Sequence, residues 1–485
     1  MTLKITNVLT RQKEAFKPLH EGKVNMYVCG PTVYDYSHIG HAKTYIGFDV
    51  VVRYLRYLGY DVLYVQNITD VGHIVGDVDE GEDKILKKAR QDSTTPMQLV
   101  ERYTRLYFEN MDALGVVRPD ISPRASGHIP EQIAMIQTLI EKGHAYEVNG
   151  SVYFDVTSDP DYGKLSGRKL EDQEEGTRFE VHSDKRHAAD FALWKNADPE
   201  HLLKWDSPWG MGYPGWHIEC SAMAAKYLGE TFDIHGGGRD NIFPHNECEI
   251  AQSECAHDAP FANYWMLIGS LTLDGVKMSK SLGNTLTIQE ALYERNWKPE
   301  AIRYFIQSSH YSNPIDFSDE AMDAATKGWQ RIMGAVTLVR QQMANAPEGE
   351  ATAVVEQLIT DTRTAFETKM NDDFNAPAAL AVLQDYTRQV NTLVNAGTPL
   401  THGSLAAIEA LYVALGGDVL GIVPDQAEES GSAEREEGLM RLLIELRAQA
   451  RKNKDWPTAD KIRDDLQAIG VVLEDRADGT IWKVV

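Results

Sequence analysis

A strand–helix–strand run near the N-terminus constrains the fold of this chain more than any other feature of the sequence. Met26–Cys29 is a short apolar run typical of a buried strand, and a Gly-Pro pair ends it. A helical pattern follows from about Ala42 to Leu58, and Val62–Val65 has the pattern of a second buried strand. Strands joined through a helix at this spacing lie parallel in one sheet. The sequence therefore predicts an α/β fold with a Rossmann-like, doubly wound parallel sheet.

The pattern changes along the chain and predicts where this sheet is interrupted and where it ends. It becomes irregular after about residue 118, so we expect an insertion that splits the sheet into two halves. The strand-like run Trp265–Ile268 belongs to the second half, and the polar, low-complexity segment Pro424–Glu437 is typical of a linker. The predicted segments are a first sheet half at 1–117, the insertion at 118–215, a second sheet half at 216–317, a helical bundle at 318–423, a linker at 424–437 and a small α+β unit at 438–485.

Composition and charge exclude several classes of protein. Among 485 residues, 43% hydrophobic and 25% charged residues exclude wholesale disorder. There is no run of about 18 apolar residues and no apolar signal core, so we expect a soluble, cytoplasmic protein without membrane contact. Four cysteines are too few for a secreted-type disulfide framework. The formal net charge of −24 argues against broad nucleic-acid binding, but residues 438–485 carry nine Lys/Arg and eight Asp/Glu, which makes this tail the better candidate for a nucleic-acid contact.

The first motif that can carry chemistry is His38-Ile39-Gly40-His41, between a strand end and a helix. Ser37 is a candidate N-cap, which would place backbone N–H groups and the positive end of the helix dipole beside the motif. Such a helix start binds anions, phosphate above all. His38 and His41 face the same way on one helical turn, and Gly40 permits the close approach of a flat ligand. Two surface histidines at an ordinary helix start are the alternative.

The second motif lies in the run from Asp274 to Gly283, where Lys277 and Lys280 bracket a Met-Ser pair. A glycine precedes the set and another follows it, so we expect a mobile, cationic loop. Such a loop can fold over a polyphosphate and stabilise charge on a leaving pyrophosphate. Taken alone, a solvated basic loop is the more common outcome.

The third motif is a scattered set of residues that soft metal ions favour. On a helix predicted to begin near Pro244, His245 and Glu249 share a face, and Cys248 is also within reach. Zinc takes sulfur, nitrogen and oxygen ligands with a tetrahedral preference. Buried, inert thiols are the alternative. The candidate ligands are Cys29, Cys220, His245, Cys248, Glu249 and Cys255, with His217 and His235 nearby.

Taken together, these motifs resemble a known family. His-Ile-Gly-His followed by Lys-Met-Ser-Lys-Ser, about 240 residues apart, resembles the paired signatures of class I aminoacyl-tRNA synthetases. The strings Tyr27–Tyr34, Gly215–Met223 and Asp233–His245 are similar to cysteinyl-tRNA synthetases, and the likeness runs essentially end to end. The resemblance implies a cysteine–tRNA ligase that activates L-cysteine with ATP as cysteinyl-adenylate and transfers it to the 3′ end of tRNA(Cys). It also implies that the two sheet halves form a nucleotide-binding catalytic domain.

The resemblance implies which residues handle ATP. His38, Gly40, His41 and Lys280 bind ATP, which Mg²⁺ accompanies, and Lys277 and Lys280 close over the transition state. The implied catalytic residues are His38, His41, Lys277 and Lys280. The reaction needs no protein nucleophile, because the cysteine carboxylate attacks the α-phosphorus. Catalysis is therefore mostly positioning and charge stabilisation.

The resemblance also implies one zinc ion per chain, held by Cys29, Cys220, His245 and Glu249. After the residue that corresponds to His245, the family more often has His-Glu-Asn-Glu, whereas this chain has Asn246-Glu247-Cys248-Glu249. Cys248 therefore remains an alternative to Glu249 as the fourth zinc ligand. A zinc-bound thiol ionises readily, whereas the hydroxyl of serine resists ionisation. We therefore expect the ion to select cysteine over serine, which a hydrophobic pocket would separate by only ~1–3 kcal/mol. The residues implied to bind the amino acid are Thr69, Trp216 and His235. His235 is also implied to pack beside the metal. The alternatives are that Thr69 is a turn residue and that Trp216 belongs to the core.

The C-terminal unit resembles the anticodon-binding unit of the family. Arginine stacks on bases, carboxylates accept hydrogen bonds from base amino groups, and tryptophan has a stacking face. Asp460 is in addition a candidate helix cap. An amphipathic helix with solvated charges is the alternative. The positions implied to bind tRNA are Arg451, Trp456, Asp460, Arg463 and Asp475.

Two other functions are consistent with parts of the sequence. A ligase that joins activated cysteine to a small amine, of the mycothiol type, would have no use for an anticodon-binding tail. A non-catalytic paralogue that binds zinc and RNA should have lost a cationic signature residue, whereas both motifs are intact. The sequence therefore favours the tRNA ligase, as a monomer with tRNA(Cys), ATP and L-cysteine as partners.

Overall fold

The computed structural model describes two compact units of the chain, Met1–Val423 and Pro424–Val485. The described residues are 2–73, 82–169, 184–278, 283–396, 400–424, 430–468, 471–476 and 479–484. In the first unit, strands and helices alternate and then give way to a run of helices. None of the described helices has both the length and the apolar character that a membrane crossing requires.

The described strands and α-helices have the following bounds. The strands are β1 (Lys4–Asn7), β2 (Gln12–Ala15), β3 (Lys23–Val28), β4 (Asp61–Gln66), β5 (Ala145–Val148), β6 (Ser151–Phe154), β7 (Phe191–Asn196), β8 (Gly212–Pro214), β9 (Phe232–Gly238), β10 (Ala262–Ile268), β11 (Leu271–Leu273), β12 (Val276–Lys277), β13 (Ile315–Phe317), β14 (Val471–Arg476) and β15 (Gly479–Val484). The α-helices are Ile39–Tyr57, Lys84–Gln91, Pro96–Ala113, Ile129–Glu141, Ile218–Leu228, Glu247–His257, Pro299–Gln307, Asp319–Met343, Ala353–Met370, Ala376–Val394, His402–Leu411, Ser430–Lys452 and Trp456–Ala468.

A four-stranded parallel sheet in the order β10-β9-β3-β4 lies at the centre of the first unit. Strand β3 pairs with β4 on one side and with β9 on the other, so the direction in which the chain adds strands reverses between β3 and β9. In such sheets, ligands bind outside the carboxyl ends of the strands at this reversal. The predicted doubly wound sheet, split by an insertion, is confirmed.

Burial on both faces explains why the central strands are apolar. Val24, Met26 and Val28 of β3 are fully buried, and helix Ile39–Tyr57, which connects β3 to β4, is buried on all sides in its middle, where residues 48–52 are buried without a gap. This helix lies so close to β9 that a side chain at Gly236 would collide with the ring of Phe48. The insertion forms its own antiparallel sheet in the order β5-β6-β7-β8.

A buried charged pair connects the central sheet to the helical bundle that follows it. Asp49 of helix Ile39–Tyr57 binds Arg303, whose side chain is 1% exposed. The Arg303 guanidinium also donates to the carbonyl oxygen of Leu420, at 2.9 Å, near the end of the bundle. Leu420 directly follows the helical segment Tyr412–Val419, so the end of this segment binds the same charged group that holds the first helix of the sheet.

The second unit is small and contains both helices and strands, as predicted. Helices Ser430–Lys452 and Trp456–Ala468 pack with the antiparallel hairpin β14–β15. Its apolar core contains Met440, Leu466 and Val471. The first of these helices begins at Ser430, inside the segment 424–437 that was predicted to be a linker.

Candidate active site and metal centre

A pocket of about 340 Å³ lies at the carboxyl ends of the central strands. Its wall contains residues from both sheet halves: Cys29, Thr32, His38, His41, Trp216 and Met278. It occupies the position where the strand order reverses, between β3 and β9. The first and third sequence motifs therefore meet at one place in the fold.

Four candidate metal ligands lie together beside this pocket. The ligand atoms of Cys29, Cys220, His245 and Glu249 are all within 4.8 Å of one another, and all four residues are buried. Cys29 Sγ is 3.5 Å from Glu249 Oε1, and Cys220 Sγ is 3.5 Å from His245 Nε2. Glu249 and His245 are one helical turn apart, with Glu249 Oε1 at 3.1 Å from His245 Nε2. The set supplies two sulfurs, one nitrogen and one oxygen, which is a donor set that zinc accepts.

Burial and neighbouring groups shift the pKa of each of the four residues. The hydrogen bond from Cys220 lowers the pKa of Cys29 to about 6, against the effect of burial. Burial raises the pKa of Cys220 well above its usual value. Burial alone would lower the pKa of His245, but Glu249 and Cys29 together outweigh burial and raise it to about 10. Burial would likewise raise the pKa of Glu249, but His235 and His245 lower it below its usual range. These shifts favour the thiolate of Cys29 and the carboxylate of Glu249, which are forms that bind a cation, whereas His245 has to release a proton to become a ligand.

Three further side chains orient the cluster. His235 Nε2 is 2.7 Å from Glu249 Oε2, and the His235 ring, which is fully buried, stacks on Trp265. Asn246 donates to Glu249 Oε1 at 2.9 Å. The Nδ1 atoms of His217 and His245 are 2.9 Å apart, which leaves His245 Nε2 on the side of the two cysteines. Such outer partners fix the orientation of metal ligands.

The two remaining cysteines lie away from the four-residue cluster. Cys248 packs in the apolar core of the insertion, with its Sγ 3.7 Å from the hydroxyl oxygen of Tyr162. Neighbouring helix positions point about 100° apart, so Glu249 faces the cluster where Cys248 faces the insertion. Burial raises the pKa of Cys255 to about 12, which keeps its thiol protonated. Among the described residues, the structure thus groups Glu249, and not Cys248, with the other three candidates.

The helix start predicted at the first motif is present and lines the pocket, but the residue that caps it differs from the prediction. Helix Ile39–Tyr57 is capped by His38 rather than by Ser37: His38 Nδ1 accepts from the backbone N–H of Gly40 at 3.1 Å. Ser37 is instead buried, and its carbonyl accepts from the N–H of Ile288. His41 Nδ1 accepts in turn from the N–H of His38, so the neutral rings carry their protons on Nε2.

The two histidine rings and Gly40 form one compact surface. The rings of His38 and His41 lie 3.9 Å apart. A side chain at Gly40 would come within 2.9 Å of the His38 ring and of Met278 Cε. Only glycine therefore leaves this part of the pocket wall open to a flat ligand.

The second sequence motif begins at the edge of the same pocket. Lys277 ends β12, and Met278 lines the pocket. The chain beyond the motif returns to the helix start, where Ile39 N–H donates to the carbonyl of Leu286 at 3.0 Å. The side chain of Lys277 and the whole of Lys280 lie outside the described part of the structure.

The three predicted amino-acid-binding residues occupy different positions. Trp216 lines the pocket and contacts the ring of His245, with ring centroids 4.3 Å apart. Thr69 is buried, accepts from Asn67 Nδ2 and donates to the carboxyl group of Glu219. His235 lies behind Glu249. Direct contact of Thr69 or His235 with an amino acid therefore stays a prediction.

The predicted tRNA-binding residues all belong to the second unit. Trp456 is 55% exposed at the start of helix Trp456–Ala468. Asp460 lies inside that helix and pairs with Arg463, so the predicted helix cap is wrong; Asp455 accepts from the N–H of Thr458 in that role. Arg451 is in the last turn of helix Ser430–Lys452. Asp475 is in β14, with its side chain outside the described part.

Family comparisons cover nearly the whole chain. The family model described as tRNA synthetases class I (C) catalytic domain matches residues 15–327, the DALR domain matches residues 365–424, and the cysteinyl-tRNA ligase anticodon binding domain matches residues 441–482. The chain belongs to the cysteinyl-tRNA synthetase family. The resemblance inferred from the two signature motifs is thereby confirmed.

Curated relatives share the full length of this synthetase. A protein named cysteine–tRNA ligase from Chlorobium chlorochromatii is 50% identical, with 100% of both chains covered. Proteins of the same name from Chlorobium luteolum and Thermus thermophilus are 51% and 46% identical, over 99% and 100% of both chains. Among solved structures, a Mycobacterium tuberculosis methionyl-tRNA synthetase in complex with methionyl-adenylate superposes with a TM-score of 0.57 at 15% identity, and covers 82% of this chain and 91% of its own. This last likeness concerns the fold alone.

Some residues at the site carry no signal that sequence reasoning detected. His73 stacks on Trp216 with ring centroids 3.9 Å apart, although it stands in no motif. Asn246 was noticed only as a departure from the family string, yet it donates to Glu249. His73 acts through a contact between elements far apart in the chain, which periodicity does not reveal.

Proposed function

We propose that this chain is a cysteine–tRNA ligase in which a zinc ion selects the amino acid. The observation that carries the proposal is the grouping of Cys29, Cys220, His245 and Glu249 beside a pocket that also contains the histidines of the first motif. The names of the full-length relatives support the reaction. The anticodon-binding match at residues 441–482 supports tRNA as partner, over a small amine.

The donor set fits zinc in kind, spacing and burial. Two thiols, one imidazole nitrogen and one carboxylate oxygen lie within 4.8 Å of one another, with His217, His235 and Asn246 holding two of them in place. When bound, the ion would accept the sulfur of the substrate as a thiolate, a ligand that the hydroxyl of serine does not match. We assign one ion per chain to these four residues.

The helix start is proposed to hold the phosphates of ATP, which Mg²⁺ accompanies. His38 and His41 present Nε2 donors at the positive end of the helix dipole, and Gly40 leaves room for the nucleotide. Lys277 and Lys280 supply positive charge toward the leaving pyrophosphate. The chain contributes position and charge, while the cysteine carboxylate is the nucleophile.

The second unit is proposed to read the anticodon through five exposed or strand-borne residues. Trp456 offers a stacking face, Arg451 and Arg463 offer planar cations, and the carboxylates accept hydrogen bonds from bases. The proposed contacts are Arg451, Trp456, Asp460, Arg463 and Asp475. We further propose a cytoplasmic monomer.

The test is amino-acid-dependent exchange of pyrophosphate into ATP, followed by charging of tRNA. The zinc-loaded protein should support exchange with cysteine and far less with serine, and it should charge tRNA(Cys). Removal of zinc with a strong chelator should abolish the preference for cysteine. Exchange without tRNA charging would favour a small-molecule amine as acceptor, and the absence of exchange would favour a non-catalytic paralogue. A cysteine preference that survives complete removal of zinc would contradict the role given to the metal.

The motif lysine outside the described residues has a separate test. Lys280→Ala should slow adenylate formation strongly and leave the affinity for cysteine nearly unchanged, because its charge acts on the phosphates rather than on the amino acid. Equal losses in both quantities would contradict this assignment.

A further inference from the structure

We infer that His73 is a positioning residue for the cysteine pocket: its ring holds Trp216 against the metal ligand His245. This inference rests on the proposed function and adds a residue to the same site. Trp216 stands between two imidazoles. Its ring centroid is 3.9 Å from that of His73, with the planes 13° apart, and 4.3 Å from that of His245. The His245 ring is tilted by 32° from the indole plane, so the three rings lie in contact, without a parallel stack throughout, from the segment after β4 to the metal cluster.

The His73 ring is fixed at both nitrogens. Its Nε2 lies 2.6 Å from Lys84 Nζ, and its Nδ1 lies 2.6 Å from Thr32 Oγ1. An ammonium group has no acceptor, so Nε2 accepts from Lys84, and the proton on Nδ1 is donated to Thr32. A ring with both nitrogens engaged cannot rotate without losing a hydrogen bond. At 7% exposure, His73 is also nearly closed off from solvent.

The groups that hold His73 are themselves anchored to the sheet. Thr32 pairs with Thr69 in a parallel bridge that extends from the ends of β3 and β4. Lys84 begins helix Lys84–Gln91, and its N–H donates to the carbonyl of His73 at 2.9 Å. The buried carboxylate of Asp83 caps that helix and also accepts from the N–H of Gly72. The position of the His73 ring is therefore set by the backbone on both sides of it.

Trp216 also contacts the ring of His217, with centroids 5.2 Å apart, and lies 5.9 Å from Lys84 Nζ, but neither group stacks flat on the indole. It lies on the pocket wall, partly exposed, directly before the helix that carries Cys220. Without the His73 ring, one face of the indole would lose its stacked partner, and the side chain could leave the position in which it covers His245. The loss of a stacked aromatic pair corresponds to a change of about 2- to 12-fold in an equilibrium constant. A looser wall should weaken the binding of the amino acid more than that of ATP, which the helix start holds.

Two variants of His73 separate the effect of its stacked ring from the effect of its hydrogen bonds. His73→Phe keeps an aromatic ring against Trp216 but removes both hydrogen bonds. His73→Asn keeps a polar group of similar reach but removes the ring. His201 stacks on Tyr213 in the insertion, with centroids 4.2 Å apart and planes 6° apart, so His201→Asn is a matched control for the loss of such a stack outside the pocket.

The assay is exchange of pyrophosphate at varied cysteine and at varied ATP, with the zinc content of each variant measured. His73→Asn should raise the KM for cysteine about 5- to 10-fold, leave the KM for ATP within twofold and retain one zinc per chain. His73→Phe should remain within about twofold of the wild type, and His201→Asn should not differ from it.

Four results would overturn the inference. His73→Phe could lose as much as His73→Asn, which would assign the effect to the hydrogen bonds. His73→Asn could match the wild type, or could raise both KM values together. It could also lose zinc, which would make His73 a support of the metal cluster rather than of the pocket wall. A wild type with no cysteine-dependent exchange would instead refute the proposed function, so the two failures are distinguishable.

Discussion

Asp49→Asn should destabilise the first unit more than any substitution of an exposed carboxylate. The Asp49 side chain is fully buried and accepts three hydrogen bonds, from Arg303, from Arg53 Nε at 2.8 Å and from the N–H of Val117 at 2.8 Å. An asparagine amide cannot satisfy all three. In one orientation its NH₂ group faces the two guanidinium donors, and in the other it faces the N–H of Val117.

The contacts of Arg303 set the expected magnitude. Removing one partner of a buried ion pair costs about 3–5 kcal/mol, because the remaining charge is left uncompensated. The guanidinium keeps its hydrogen bonds to the carbonyls of Leu114, Gly115 and Leu420, so we expect the lower end, about 3 kcal/mol. Since about 1.4 kcal/mol corresponds to a factor of ten, protected amides should open roughly 100-fold more often.

Native-state hydrogen exchange on peptides from helix Ile39–Tyr57 measures this change in the first unit alone. The matched control is Asp385→Asn, which breaks an ion pair with Arg388 whose side chains are 64% and 75% exposed. Exposed pairs contribute about 0–1 kcal/mol, so the control should change exchange by less than about fivefold. If Asp49→Asn changed exchange no more than the control does, the reasoning from burial would be refuted.

Four further predictions concern the pocket and its surroundings. Burial, and secondarily Arg239, lower the pKa of Lys43 to about 8. From that pH up to the ordinary lysine pKa near 10.4, the unfolded chain therefore binds more protons than the folded chain, and the stability of the fold should rise with pH. Lys43→Met should remove this rise in urea unfolding measured from pH 7 to 10.5. Cys220→Ser should lose bound zinc, whereas Cys248→Ser should retain one ion per chain, as metal analysis of the two purified variants will show. Glu249→Gln should also lower zinc content, and an unchanged stoichiometry would count against the fourth ligand. His217→Phe should weaken zinc binding about 10- to 100-fold in chelator competition, because the contact that orients His245 is lost; affinity equal to that of the wild type would refute that role.

Local patterns were sufficient to predict the elements that position the site. The alternation of apolar runs predicted β3, helix Ile39–Tyr57 and β4 to within a few residues, because these elements are buried on both faces. Spacing also placed His245 and Glu249 on one side of the chain, one helical turn apart. It could not place Cys29 with Cys220, which are separated by 191 positions and brought together only by the folded sheet. The resemblance to a family supplied that pairing.

Two predictions from the sequence that were wrong concern which residue caps a helix. Ser37 is the commoner N-cap residue type, but the segment at Ile288 takes up its backbone, and the neighbouring His38 ring reaches the free N–H instead. In the second unit, Asp455 rather than Asp460 stands at the helix start. The residue type was right only in the second case, and the position of the first cap depended on a tertiary contact that the sequence does not contain.

The topology of the sheet explains why amino-acid selection and ATP chemistry share one pocket. Cys29 directly follows β3 and His38 caps the next helix, so a short loop joins the candidate metal cluster to the helix start that is proposed to bind phosphate. The other three cluster residues belong to the second sheet half, and they meet Cys29 only because β3 pairs with β9, with Val28 opposite Gly236. A shift of one residue in this pairing would turn every side chain of β3 to the other face. The pairing that completes the sheet is therefore also the condition for assembling the proposed zinc site, so a bound ion would stabilise the contact between the two halves on which the catalytic pocket depends.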